Sequence, residues 1–226
     1  MATPAARQRF ASAAAVVPDT SPLLQTLQTV ADWDPSVTEL DLAGDQEFIR
    51  WPPERQDAGL ALLVGSPVIT KLSLNGLNLT DAVAPSLAQA IAAEGSALRV
   101  LNLERNDLRE PGLLHLLQAL AMNRTLKELR LTGQRTAITT SVEAALATLL
   151  DQGGASALVR LGLPLRNDNF KRQVDRALGR NMDRLRLERA ELSKRSSTDV
   201  FGGGGGRAPP HVGAVMTTTR PATKTA

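Results

Sequence analysis

Four arginines stand four residues apart at Arg172, Arg176, Arg180 and Arg184. On a helix this spacing gathers them along one face. The chemistry such a row performs is recognition, because each guanidinium is a planar fork of donors that matches a carboxylate or phosphate. Like charges so placed oppose each other by about a few tenths of a kcal/mol per pair. Asp168, Asp175 and Asp183, three or four residues from their arginines, ease that repulsion. From the residues alone two readings stay open: a solvated face, or a docking edge for an acidic partner. The basicity is local. Between Arg166 and Arg195 ten Lys or Arg meet five Asp or Glu, an excess that exceeds the +3 of the whole chain.

Catalytic chemistry has little to draw on. Cysteine is absent and there are two histidines, His115 and His211. No nucleophile, base and orienting acid can be assembled from them. No metal-ligand spacing appears, and the "FGGGGGR" run lacks the Gly-Lys-Ser/Thr ending of a phosphate-binding loop. The expectation is a protein that is not an enzyme and holds no cofactor or metal. Aromatics total 3% with no tyrosine, which together with the interleaved acids argues against a base-stacking nucleic-acid surface. No run approaches the roughly 18 apolar residues of a membrane span. The first 18 residues carry two arginines and no acid. They fit either a mitochondrial transit peptide or an unstructured, alanine-rich start. The glycosylation triplets beginning at Asn78 and Asn123 are read as accidental, since no secretory signal precedes them.

What must position these residues is a repeat. Leu98, Leu101 and Leu103 in "LRVLNLERNDL" recur in spacing as Val37, Leu40, Leu42; as Ile69, Leu72, Leu74; as Leu126, Leu129, Leu131; and as Leu158, Leu161, Leu163. The middle leucines at 40, 72, 101, 129 and 161 are 32, 29, 28 and 32 residues apart. Each unit reads as a short strand with both L-x-L side chains inward, then a turn, then a returning helix. Helical stripes begin at Ala82, Pro111 and Thr139, the last with Thr140 or Ser141 as candidate cap. The expected fold is α/β, a leucine-rich repeat solenoid of about five strand-turn-helix repeats, because one such unit cannot bury its leucines alone. A helix from Ser21 (Leu23, Leu24, Leu27, Val30, Ala31 inward) caps one end. A long C-terminal helix (Phe170, Val174, Leu178, Met182, Leu185) caps the other. The expected organisation is a disordered leader over 1–19, the repeat domain over 20–195, and a flexible Gly/Pro/Thr-rich tail over 196–226. The turn slot held by Asn106 is occupied elsewhere by Asp45, Leu77, Gln134 and Arg166, so the turns are individually irregular.

Three segments resemble the C-terminal leucine-rich repeat domain of tropomodulins and leiomodins. "DPSVTELDL" (Asp34 to Leu42) is similar to the opening of its first strand. Leu98 to Gln134 resembles its most recognisable stretch, and "FKRQVDRALGRNMDRLRLERA" its closing basic helix, with an Asn-x-Asp-x-x-Arg element at Asn181, Asp183 and Arg186. The resemblance implies actin as partner and cytoplasm or cytoskeleton as location. It covers the repeat domain alone: the family's tropomyosin-binding N-terminal half and the leiomodin actin-monomer motif have no counterpart here. Filament-end capping is therefore only a family implication. The alternative is a structural subunit clamped into a larger cytoskeletal, ciliary or organellar assembly (cilium or flagellum, or mitochondrion).

The candidate partner-binding residues follow. The strand-to-helix loops offer Glu104, Arg105, Arg109, Gln134 and Arg135, since loops on a rigid scaffold commonly carry binding residues. The closing helix offers Arg172, Arg176, Arg180, Asn181 and Arg184. A further candidate is the concave row of outward strand positions, Glu39 and Asp41, Lys71 and Ser73, Val100 and Asn102, Glu128 and Arg130, then Arg160, which runs from acidic toward basic.

Overall fold

The computed structural model describes residues 1–14 and 21–201. The chain falls into two compact units, Met1–Leu187 and Glu188–Ala226. Of the second, residues 188–201 are described and are helical. Everything that follows concerns the first unless stated.

Five three-residue strands form one parallel sheet in chain order: β1 (Glu39–Asp41), β2 (Lys71–Ser73), β3 (Val100–Asn102), β4 (Glu128–Arg130) and β5 (Arg160–Gly162). The register pairs Leu40 with Leu72, Leu72 with Leu101, Leu101 with Leu129, and Leu129 with Leu161. The five marker leucines thus form one rung across the sheet. Neighbouring strands supply each other's backbone partners, and the leucines bury against helices on the other side. Leu72, Leu74, Leu101, Leu103, Leu129 and Leu131 are all buried, and only the last strand's Leu161 and Leu163 are partly open.

The helices are α1 (Pro4–Ala14), α2 (Pro22–Ala31), α3 (Gln46–Arg50), α4 (Pro53–Ala61), α5 (Ala84–Ala92), α6 (Glu110–Met122), α7 (Thr140–Asp151) and α8 (Asp168–Phe201). A 3-10 turn at Asp81–Val83 leads into α5. In α2, Leu23, Leu24, Leu27, Val30 and Ala31 are the buried residues, as their spacing predicts. Ser21 caps it, accepting from the Leu24 N–H. Helix α6 starts with Pro111 in its first turn, and its leading Arg109 N–H is accepted by Asp81 of the preceding repeat at 2.8 Å. The cap of α7 is Thr139, whose hydroxyl accepts from Val142 N. Neither Thr140 nor Ser141 caps, because both already lie inside the helix.

Two expectations about the ends are corrected. Residues 1–14 are no disordered leader: Ala6 and Phe10 of α1, and Ala2 just before it, are buried in the core of the solenoid. Alanine is the best helix former, and this stripe gives the helix a face to dock. Residues 15–19 lie outside the described residues. The tail does not begin at 196 either. Helix α8 continues to Phe201, since nothing in "SSTDVF" breaks a helix before the glycine run. Residues 202–226 lie outside the described residues. The segment between β1 and β2, for which the repeat pattern gave no helix, carries α3 and α4.

Candidate partner-binding surface

Each of the first four strands is followed by a tight turn whose residue, four beyond the marker leucine, adopts the left-handed backbone region. In three repeats that residue is glycine: Gly44 at φ 64°, Gly76 at 69° and Gly133 at 74°. In the third repeat it is Arg105, at φ 55°. The same hydrogen bond explains the shared conformation. Gly44 N–H donates to Asn75 O, Gly76 N–H to Glu104 O and Arg105 N–H to Thr132 O, each at 2.9 Å. An L-residue pays about 1–2 kcal/mol for this region, and nothing in the backbone ladder needs a side chain there. Arg105 places an exposed guanidinium on the rim at a cost its neighbours avoid.

Two more exposed arginines share the rim. The Arg109 guanidinium lies 3.5 Å from Asp107. Arg135 reaches back two repeats, donating from Nη2 to Asn78 Oδ1 at 3.0 Å. The other loop candidates are used internally. The Glu104 carboxylate accepts from the Thr132 hydroxyl. The Gln134 amide donates to Leu103 O at 2.8 Å and Leu131 O at 3.2 Å, and accepts from Leu108 N at 3.1 Å. That is the role of Asn106 transposed one repeat onward. Asn106 is fully buried, accepts from the Leu77 and Leu79 N–H groups, and donates to Leu74, Leu103 and Glu104 carbonyls. Gln134 holds a turn together instead of offering itself outward.

On α8 the ladder is divided in the same way. Arg172, Arg176, Arg180 and Arg184 are all exposed. Arg172 donates to Asn169 Oδ1 at 2.5 Å, and Arg180 lies 3.4 Å from Asp151. Arg176 and Arg184 have no ion-pair partner among the described residues. Asn181 is different. It is 7% exposed and donates to Ala155 O at 3.1 Å and Leu158 O at 2.8 Å, tying α8 to the last repeat. Its amide is spent on the fold, so the reading of Asn181 as a partner contact is corrected. Val174 and Ala177 bury beside it, while Phe170, Leu178, Met182 and Leu185 are half-buried.

The concave row is largely self-paired. Lys71 bonds Glu39 at 2.9 Å, and that carboxylate holds the Lys71 ammonium above its ordinary pKa. Glu128 bridges Arg130 at 2.5 Å and Arg160 at 3.5 Å. This surface has fewer free charges than its residues promised, which leaves the rim and the α8 ladder as the basic features facing outward. His115 is exposed on α6. One functional support escaped the sequence reading. Glu143, 2% exposed, accepts from the Arg166 N–H at 2.9 Å and the Asn167 N–H at 3.0 Å. Its signal was the slot itself: Arg166 has no acceptor to offer, so another residue had to supply one.

Comparison with known proteins gives this geometry its relatives. Leiomodin-2 of Rattus norvegicus is 28% identical over 185 residues, covering 81% of this chain and 33% of that protein. Tropomodulin-4 of Bos taurus is 28% identical over 177 residues, covering 76% of this chain and 50% of that protein. The chain therefore spans a third to a half of the length of these relatives. A solved structure described as leiomodin-1 actin-binding site 2 superposes with a TM-score of 0.72 at 27% identity, covering 80% of this chain and 99% of that one. The tropomodulin C-terminal domain of Caenorhabditis elegans superposes with a TM-score of 0.68 at 25% identity, covering 76% of this chain and 99% of that one. The TMOD/LMOD leucine-rich domain model matches residues 20–184, and the chain belongs to that family.

Proposed function

We propose that this chain is a non-enzymatic, cytoskeletal protein-binding module that engages actin, as a subunit or at a filament end. The observation that carries the reading is the superposition on leiomodin-1 actin-binding site 2, which extends over 99% of that domain. The chemistry agrees with it. Actin is acidic, and the rim and α8 present exposed guanidiniums with no ion-pair partner among the described residues, Arg105 on the rim and Arg176 and Arg184 on α8, with Arg109 on the rim in an open pair with Asp107. Guanidinium forks on a rigid scaffold bind surface carboxylates with little ordering cost. Arg135 and Arg180 border these groups, while Glu104, Gln134 and Asn181 position the loops and helix that present them. Among the described residues no group of His, Asp or Glu could hold a metal, and no helix is long and apolar enough to cross a membrane.

Purified protein should slow or promote pointed-end elongation of actin and co-sediment with it, with half-maximal effect near the micromolar range. No effect at about 50 μM, where a Kd tighter than −6 kcal/mol would show, removes the reading.

Arg105 provides a sharper test. Arg105→Gly restores the residue that the other repeats use, so stability is expected to hold or rise by up to about 1 kcal/mol. Actin affinity is expected to fall. Denaturation midpoint and co-sedimentation read the two effects separately, and unchanged affinity would leave the arginine without a purpose on the rim.

A further inference from the structure

The fifth repeat is the last, and its outer side is built like the side on which each earlier repeat receives its successor. The N–H groups of Leu42, Leu74, Leu103 and Leu131, two residues beyond the marker leucines, donate to the next strand at 2.7 to 2.9 Å. The carbonyls of Thr38, Thr70, Arg99 and Lys127, two residues before them, accept from it at 2.7 to 2.9 Å. In the fifth repeat the equivalent groups are the Leu163 N–H and the Val159 carbonyl. No strand lies beyond β5 among the described residues. These two groups, and by the alternation of a strand both backbone groups of Leu161, therefore line an open edge. The side chains agree. Leu40, Leu72, Leu101 and Leu129 are buried, whereas Val159, Leu161 and Leu163 are half-buried.

Helix α8 continues this open side. It runs alongside α7 in the same direction, starting where Arg166 and Asn167 bond Glu143 and reaching Asp151, Ala155 and Leu158 through Arg180 and Asn181. Lys171, Asp175, Leu178 and Met182 are four, three and four residues apart, so they form one stripe. At about 100° per residue the stripe lies about 140–180° round the helix from Arg180. Arg180 reaches α7, so the stripe faces away from it. Leu178 and Met182 are half-buried, while Lys171 and Asp175 are exposed and have no ion-pair partner among the described residues.

This side is complementary to itself. Antiparallel pairing of β5 with the β5 of a second copy, centred on Leu161, exchanges both hydrogen bonds between the two Leu161 residues. It also sets each Leu163 N–H against the other copy's Val159 carbonyl. Arg160, 3.5 Å from Glu128, then stands opposite Gly162 of the other copy, where no side chain opposes it. The same axis matches the helices. Asn181 bonds the Leu158 carbonyl; Val174, seven residues back along α8, and Leu161, three residues on along the chain, are each about 10 Å from that point. Val174 is thus level with Leu161. A two-fold axis at that level brings α8 antiparallel to its copy. Lys171 of each chain then lies within about 3 Å, two residues' rise, of the level of the other's Asp175. Leu178 lies beside the aliphatic stem of the other copy's Lys171. We propose that this end of the solenoid is a homodimer face, on which a second copy joins β5 to β5 and α8 to α8 about a two-fold axis, making one continuous sheet. The proposal goes beyond the actin-binding reading. Arg176, Arg180 and Arg184 sit on other flanks of α8 and stay outside the contact.

The test is sedimentation of the full chain, without actin, from about 1 μM to about 1 mM. The mass is expected to double as concentration rises. Lys171→Asp alone and Asp175→Lys alone each set like charges across the axis, and each is expected to weaken the dimer at least about tenfold. The two together restore opposite charges and are expected to bring affinity back to within about threefold of the natural chain. Both side chains are exposed, so the fold is not at stake. Amide exchange at Leu161 and Leu163 is expected to slow at least about tenfold over the same concentrations, which association through another face leaves unchanged. A chain that stays monomeric, as it does if another part of the same chain closes this edge, overturns the proposal. So does a dimer indifferent to either single change, a double variant no tighter than the singles, or exchange that ignores concentration.

Discussion

Asn106→Ala is expected to lower the folding stability by about 3–4 kcal/mol, read as a shift of the urea midpoint at unchanged slope. The side chain is fully buried, and its two polar atoms serve five backbone groups on two repeats. Removing it strands the Leu77 and Leu79 N–H groups in a volume water does not reach. Each stranded donor costs about 1–3 kcal/mol. The lost packing of one small side chain is minor beside that. Asn106→Asp separates the contributions. It keeps the acceptor for both N–H groups but turns donated bonds to three carbonyls into repulsions, so it should destabilise as well. If alanine costs less than about 1 kcal/mol, the level of an exposed substitution, the amide is not the keystone of this turn.

The second large effect falls on binding. Arg176→Glu combined with Arg180→Glu is expected to weaken actin binding at least about tenfold while moving stability by less than about 0.5 kcal/mol. Both guanidiniums are exposed, Arg176 has no ion-pair partner among the described residues, and the Arg180–Asp151 pair at 3.4 Å is open to solvent. The fold therefore has almost nothing to lose. An acidic partner would meet repulsion where attraction stood. Wild-type affinity should also fall with added salt, and the variant's much less, because salt shortens the reach of exposed charges, to about 10 Å at 0.1 M and about 3 Å at 1 M. Co-sedimentation across a salt series checks both statements. Equal affinity for the variant would identify the ladder as a solvated face.

The solenoid was legible because its signal is periodic. Leu40, Leu72, Leu101, Leu129 and Leu161 had to share a rung once they shared a spacing, and the register places each against the next. Helix α2 was equally plain, since one stripe of five apolar residues admits one burial. What stayed hidden was polar and long-range. Arg55, Gln56 and Asp57 are buried on α4, yet three adjacent polar residues ordinarily mark an exposed turn. Long-range packing reverses that expectation: α1, α5 and the 3-10 turn all pack against α4, and Gln56 donates to Phe48 O at 3.0 Å. The rim candidates divided for a similar reason. Spacing places Gln134 and Arg135 side by side, but whether an amide turns inward depends on which backbone groups the neighbouring repeat leaves unpaired. Asn181 likewise looked like part of a basic face, and became internal because Ala155 and Leu158 present carbonyls where it passes.

The reach of Asn106 gives the molecule a direction in time. The amides it satisfies, Leu77 and Leu79, precede it by 29 and 27 residues. During synthesis the buried acceptor for the second turn is not yet present until the third has left the ribosome, and Leu108 waits in the same way for Gln134, 26 residues ahead of it. Assembly along this part of the chain trails translation by one full unit, as a zip fastener can lock a tooth only after its successor has arrived.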